Sequence, residues 1–229
     1  MKPSFDMFKL HHFILRQMVD KGYPPSITAI THKFRRMRED VIQELRGLQG
    51  YHGIVLHPRS HEVWAIHPFS AMPTNFLVRQ GKREWWSNCA WCSLGAAELL
   101  GGDVTITTTL GANGRQVQVR VVEGELLDSA YCVHFPIPME NAWDNVIFTC
   151  STMLLFDRPD AVKPWCKRHR MPQGDIQPIA KVHELAKTWY GRHLDPDWKK
   201  WTLEEAKAIF ENLGLTHSVW HIPETDARF

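Results

Sequence analysis

The sequence predicts an α+β protein, in which an N-terminal winged-helix-like helical module is followed by a small mixed β-sheet flanked by helices. Three observations predict it. Residues 1–70 carry three helical patterns and then two short apolar, strand-like runs. The middle of the chain is rich in Thr and Val around a glycine turn, and the last third returns to helical spacing. The boundary falls in a connector, giving expected units of 1–70 and 71–229.

The elements follow in order. Phe5, Phe8, Leu10, Phe13, Ile14, Met18 and Val19 recur at helical spacing, so an amphipathic helix is expected from about Ser4 to Lys21. Gly22-Tyr23-Pro24-Pro25 stops it, because proline cannot continue the hydrogen-bond ladder. Ser26 caps a second helix carrying Ile27, Ile30 and Phe34. A third places Val41, Ile42, Leu45 and Leu48 on one face and ends at Gly50 and Gly53. Ile54-Val55-Leu56 and Val63-Trp64-Ala65-Ile66 are strand-like, with a turn at Pro58-Arg59-Ser60. Three helices and a two-stranded wing make the winged-helix pattern. Residues 71–84 contain Pro73, Asn75 and Gly81 and read as a connector. A helix is expected over 88–100, with Asn88 as cap and Gly101-Gly102 as stop. Val104–Thr109 and Val117–Val121 form a hairpin through Gly111-Ala112-Asn113-Gly114. Further strands are expected around Ser129–Phe135 and Val146–Phe156. Helices follow at Ala161–His169, Ile179–Tyr190 and Thr202–Leu213, the last with a Thr202/Glu205 capping box and Gly214 as stop.

Composition narrows the function classes. With 44% hydrophobic and 23% charged residues, the 229-residue chain has the balance of an ordered globular protein. A net charge of +2 gives no support to nucleic-acid binding, which favours a basic excess on one face. The basic run Lys33-Phe34-Arg35-Arg36-Met37-Arg38 precedes the recognition-helix position, but Glu39, Asp40 and Glu44 follow it and repel phosphate. No apolar run approaches the roughly 18 residues of a membrane span. The N-terminal stretch lacks the continuous apolar core of a signal peptide. A cytoplasmic setting is therefore expected, with no membrane and no nucleic acid as partner.

The five cysteines, Cys89, Cys92, Cys132, Cys150 and Cys166, fit free thiols better than a disulfide framework. Cys89 and Cys92 stand three apart at a helix start and share a face. Unpaired N–H groups and the positive end of the helix dipole favour a thiolate there. Cys150 falls in the strand-like run Phe148-Thr149-Cys150-Ser151-Thr152 and points opposite to Thr149. Three readings compete. Free cysteine is a small buried hydrophobe by default, which is the reading for Cys132 and Cys166. A redox pair needs a buried strand before the CxxC, and Lys82-Arg83-Glu84-Trp85-Trp86-Ser87 does not read as one. A closed zinc site needs four ligands, and only one CxxC is present; a few thiols without a fourth ligand suit a very soft metal such as mercury. His11, His12, His57, His61 and His67 have irregular spacing and read as surface or hydrogen-bonded residues. The segment Asp195 to Trp201 reads as a turn packing tryptophans.

Ala90-Trp91-Cys92-Ser93-Leu94 resembles the signature of the alkylmercury (organomercurial) lyase family, in which an Ala-Trp-Cys run opens a helix and carries the first thiol. His67-Pro68-Phe69-Ser70, Asn88-Cys89-Ala90-Trp91 and Trp189-Tyr190-Gly191-Arg192 are similar to family segments, and the likeness covers roughly residues 5 to 215. The resemblance implies a lyase that cleaves carbon–mercury bonds by protonolysis. Two thiols and a carboxylate surround the substrate; a hydrocarbon leaves and Hg(II) stays on sulfur until small thiols accept it. No cofactor is implied beyond Hg(II) bound as product; the partners are the organomercurial substrate and small thiols. Cys92 takes the place of the first thiol. The second is Cys150 if the strand aligns on Phe156, and Thr149 if it aligns on Phe148; Cys150 is favoured because the chemistry needs sulfur. The carboxylate position is Gly95, so the proton source departs from the pattern. Cys89 is the preferred replacement and Glu98 the alternative. Cys92, Cys150 and Cys89 are thus the expected catalytic and metal-binding residues. Two other functions stand beside this one: a winged-helix regulator sensing a soft metal, and a family scaffold turned to another thiol-dependent reaction.

Overall fold

The computed structural model describes residues 6–222. Helix α1, Met7–Lys21, starts where the Asp6 carboxylate accepts the Phe8 and Lys9 N–H groups. The expected first positions, Ser4 and Phe5, lie outside the described residues. The helix buries Leu10, Ile14, Leu15 and Met18 and ends at Gly22, whose φ of 82° needs a residue without Cβ. Ser26 caps α2, Ile27–Phe34, and α3, Arg38–Gly50, buries Val41, Leu45 and Leu48. Strands β1, Val55–Leu56, and β2, Val63–Ile66, pair as the expected hairpin. The chain continues through β3, Phe69–Ser70, β4, Phe76–Gln80, and β5, Arg83–Ser87, into α4, Ala90–Leu100. Strands β6, Val104–Thr109, and β7, Gln116–Val122, form the expected glycine-turn hairpin, followed by β8, Glu125–Leu126. The rest is β9, Cys132–Phe135, α5, Val146–Thr152, β10, Leu155–Phe156, α6, Val162–His169, β11, Asp175–Pro178, α7, Ile179–Tyr190, and α8, Leu203–Asn212.

The protein is α+β, but its sheets are antiparallel rather than mixed. One has eight strands in the order β1-β2-β3-β5-β4-β6-β7-β8, the other three in the order β10-β9-β11, and every pairing is antiparallel. Short connections explain this, since parallel neighbours need a crossover of a dozen or more residues. The β1–β2 hairpin joins the large sheet through β3.

Four local expectations are corrected. The connector over 71–84 contains β4, whose Phe76 and Val78 point inward while Arg79 is exposed. That alternation was legible, but Pro73, Asn75 and Gly81 masked it. The stretch before Cys89 is a strand, β5, with Trp85 and Ser87 buried. The 146–156 run is not one strand: its first part is α5, capped by the Asn145 side chain, which accepts the Phe148 N–H at 3.1 Å, and only 155–156 is extended. Cap and tertiary packing override the β propensity of Val, Ile, Phe and Thr there. The cap of α4 is Cys89, not Asn88.

Helix α4 is the centre of the molecule. Ala90, Trp91, Cys92, Ser93, Leu94, Gly95, Ala96 and Ala97 are all buried, so the helix has no polar face and lies inside the fold. It packs between strands β4, β5 and β6 and helix α7. Phe210 stacks on Trp189 and meets Trp220 edge-to-face, which anchors α8 and the segment after it to α7.

Candidate active site

The thiols meet at the N-terminus of α4. Cys89 has extended backbone, and its Sγ accepts the Cys92 N–H at 3.2 Å, filling the role of an oxygen cap. Cys92 stands one turn on, with its Sγ 3.4 Å from the Tyr190 hydroxyl at the end of α7. Cys150 arrives from α5, whose end is tied to the start of α4 by the Ala90 N–H donating to the Met153 carbonyl at 3.0 Å. His67 comes from the turn between β2 and β3. That turn is pinned: the Ser87 hydroxyl donates to the Pro68 carbonyl at 2.7 Å, and the Asn88 amide donates to the Phe69 carbonyl at 3.0 Å. The His67 Nε2 lies 3.7 Å from Cys150 Sγ. The ligand atoms of His67, Cys92 and Cys150 all lie within 4.8 Å of one another.

These groups face a cavity of about 90 Å³. Trp91, Trp143, Trp189, Trp198 and Trp201 form much of its apolar wall, and His11 of α1 with His52 and Gly53 after α3 contribute to it. Among the described residues that line it, none carries a carboxylate. The segment expected to be a turn without a role therefore supplies wall residues, Trp198 and Trp201. On one side His11 stacks on Trp198, and the His193 ring lies tilted against Trp198 and edge-on to His11.

The electrostatics divide the thiols into unlike roles. Burial alone raises a thiol pKa. At Cys92 it is outweighed by hydrogen bonds with Cys150 and Cys89, the charge of His67 and the Tyr190 hydroxyl, which hold the group well below the ordinary thiol range. Burial, with the neighbouring Cys92 charge, holds Cys89 well above that range. Cys150 is also held well above it, by its hydrogen bonds to Cys89 and Cys92 and then by burial. Of the three, Cys92 is the thiol whose charged form the surroundings favour. Burial raises the Tyr190 hydroxyl, and burial lowers His67.

Gly95 has a plain steric meaning. A Cβ built there would lie 2.1 Å from Cδ2 of Tyr190, so the tyrosine ring occupies the space a side chain would need. Glu98 is directed elsewhere: its carboxylate meets His183 Nε2 on α7 at 2.8 Å, and it does not line the cavity. Cys132 and Cys166 are buried and away from the cavity; Cys166 donates to the Pro172 carbonyl at 3.3 Å. The structure thus gathers Cys89, Cys92 and Cys150. It adds His67 and Tyr190: the sequence weighed His67 as a surface or hydrogen-bonded histidine, and the structure makes it the hydrogen-bonding neighbour of Cys150, while Tyr190 figured only within a family-like segment.

Comparison with known proteins agrees with this geometry. The family profile described as Alkylmercury lyase matches residues 69–191, more than half of the 229-residue chain. The chain belongs to the alkylmercury lyase family. All the thiols at the cavity lie within the matched region, and the N-terminal helices precede it. A solved structure described as the crystal structure of the mercury-bound form of MerB2 superimposes with a TM-score of 0.64 at 20% identity, covering 84% of this chain and 91% of that chain. At that identity the likeness concerns the fold. No curated protein matches the sequence. No helix among the described residues is long and apolar enough to cross a membrane.

Proposed function

We propose that this chain is an organomercurial lyase that cleaves carbon–mercury bonds by protonolysis. The observation that carries the reading is the meeting of Cys89, Cys92 and Cys150 at the floor of an apolar, tryptophan-walled cavity. Family membership and mercury bound to the superimposable MerB2 support it.

The residues divide the work as follows. The Cys92 thiolate attacks mercury and displaces its anionic ligand, leaving an organomercury thiolate. Cys150 binds the same mercury and gives up its proton as it does so, since a metal-coordinated thiol deprotonates. Cys89 delivers its own proton to the carbon and takes up the one Cys150 releases. The carbon–mercury bond breaks, the hydrocarbon departs, and Hg(II) is left on Cys92 and Cys150 for a small thiol to remove. Holding donor and carbon together matters because carbon is a poor base. The aromatic wall excludes water and accepts the organic group. The N-terminal unit, winged-helix-like in its order of helices and hairpin, serves in this reading as a wall of the cleft rather than as a DNA reader.

The test is headspace gas from methylmercury incubated with pure protein and excess small thiol. Methane above the thiol-only control is expected; its absence at any protein concentration overturns the proposal.

A further inference from the structure

We propose that His67, Cys92 and Cys150 form a three-ligand site for a borderline d¹⁰ cation, Zn(II), with an open fourth position toward the cavity. The sequence shows a single CxxC, and that alone argues against zinc. The fold changes the ligand set by bringing a nitrogen donor from the β2–β3 turn and a further sulfur from α5 to the α4 thiolate.

The geometry suits zinc. With Zn–S near 2.3 Å and Zn–N near 2.0 Å, a tetrahedral site places sulfur and nitrogen about 3.6 Å apart. Cys150 Sγ and His67 Nε2 are 3.7 Å apart, and no edge of the triad exceeds 4.8 Å. Two sulfurs and one imidazole with a free position is a composition found in open zinc sites. The three ligands come from separately anchored segments. The His67 turn is held by Ser87 and Asn88, α4 by the sheet and α7, and α5 by its Asn145 cap and its tie to Ala90. The far nitrogen, Nδ1, has no hydrogen-bond partner among the described residues. An imidazole ligand without an outer acceptor binds its metal more weakly, so the cation is held exchangeably.

Mercury and zinc make different demands on this set. Hg(II) is satisfied by two thiolates, whereas Zn(II) needs further donors, so His67 serves as a ligand to zinc and not to mercury. Zinc would also occupy both mercury-binding thiols and compete with substrate. That competition rests on the carbon–mercury reading above; zinc binding does not.

The experiment uses the reduced, full-length protein dialysed against Zn(II), with the metal counted by elemental analysis. About one zinc per chain is expected. His67→Ala is expected to weaken Zn(II) by at least about tenfold, the lower end of the loss when even an outer partner of a metal site is removed. It keeps full uptake of Hg(II). His67→Gln, which retains bulk, serves if the alanine variant fails to fold. Co(II) gives a second readout through the visible bands of tetrahedral thiolate cobalt, which should shift when the nitrogen is lost. Absence of zinc uptake by the wild type, or zinc affinity and cobalt bands unchanged on removing the imidazole, overturns the site. Methane release from methylmercury is scored separately, so failure of one proposal is told from failure of the other.

Discussion

Cys92 carries the heaviest demand of any side chain here, because in so buried a place only the groups packed around it can favour its charged form. Cys89, Cys150 and Tyr190 surround it, and His67 adds a favourable charge effect. Cys92→Ser removes both the soft donor and the negative charge. Turnover of methylmercury should fall by several orders of magnitude, on the scale of losing a catalytic nucleophile. A serine variant retaining even about a tenth of wild-type activity would end this assignment. Cys89 makes a subtler prediction. Its position as the cap of α4 gives it a structural duty as well as a proton. Cys89→Ala should still bind Hg(II) through Cys92 and Cys150, yet release methane much more slowly. Glu98→Gln should leave the rate near wild type, because that carboxylate is engaged by His183 away from the cavity. Collapse in the glutamine variant beside normal turnover in the alanine variant would move the acid to Glu98.

The contact between α4 and α7 decides what side chains α4 can carry. Gly95 weakens a helix interior by about 1 kcal/mol relative to Ala. It is nevertheless required, since any Cβ would meet the Tyr190 ring, with Cδ2 at 2.1 Å. Gly95→Ala is therefore expected to destabilise by about 1–3 kcal/mol through overpacking, despite its better propensity. Urea unfolding of Gly95→Ala, Tyr190→Ala and the double variant would check this. The two changes should be strongly non-additive, with the alanine at 95 tolerated once the ring is gone. Additive losses would show that the ring is not the obstacle. Restoring a carboxylate at position 95 should fail for the same steric reason unless Tyr190 is shortened too. The α5 segment shows the reverse relation of propensity to packing. Its β-branched sequence favours a strand, but the Asn145 cap and the tie between Met153 and Ala90 hold it helical and present Cys150 to the cavity.

Burial of histidines links the whole molecule to pH. Burial, with repulsion from His12 and His67, pushes His11 down to about 3. Burial, with His11 and His67 nearby, also pushes His193 well below the ordinary range. Both are neutral in the folded protein and take up protons on unfolding below pH ~6.5. The unfolded state then binds more protons, so stability is fully present above that value and falls as pH drops toward the folded pKa. At pH 5 keeping His11 neutral costs about 2 kcal/mol, and His193 acts in the same direction. The melting temperature should decline between pH 7 and 5, and His11→Phe should flatten the decline. A pH-independent melting temperature would contradict the burial of these rings. Because His11 belongs to α1 and His193 follows α7, their ring contacts with Trp198 also couple the N-terminal helices to the C-terminal part of the chain.

Local chemistry determined much of this protein. Apolar spacing in α1, the Ser26 and Thr202 caps, the glycine stop after α1 and the 104–121 hairpin are short-range features, and each appears where the residues dictate. The Ala-Trp-Cys run marks Cys92, and together with the order of elements around it and the segments at 67–70 and 189–192 it carries the family resemblance. The ring of groups around that thiol was decided only by tertiary structure. Cys150 lies 58 positions from Cys92 by number, and a strand propensity conceals the helix that delivers it. His67 has no metal-ligand spacing in the sequence; hydrogen bonds from Ser87 and Asn88 bring it to the sulfurs. Tyr190 explains Gly95 only after α7 is laid across α4. Such contacts depend on packing between distant segments, which neither residue type nor spacing encodes locally.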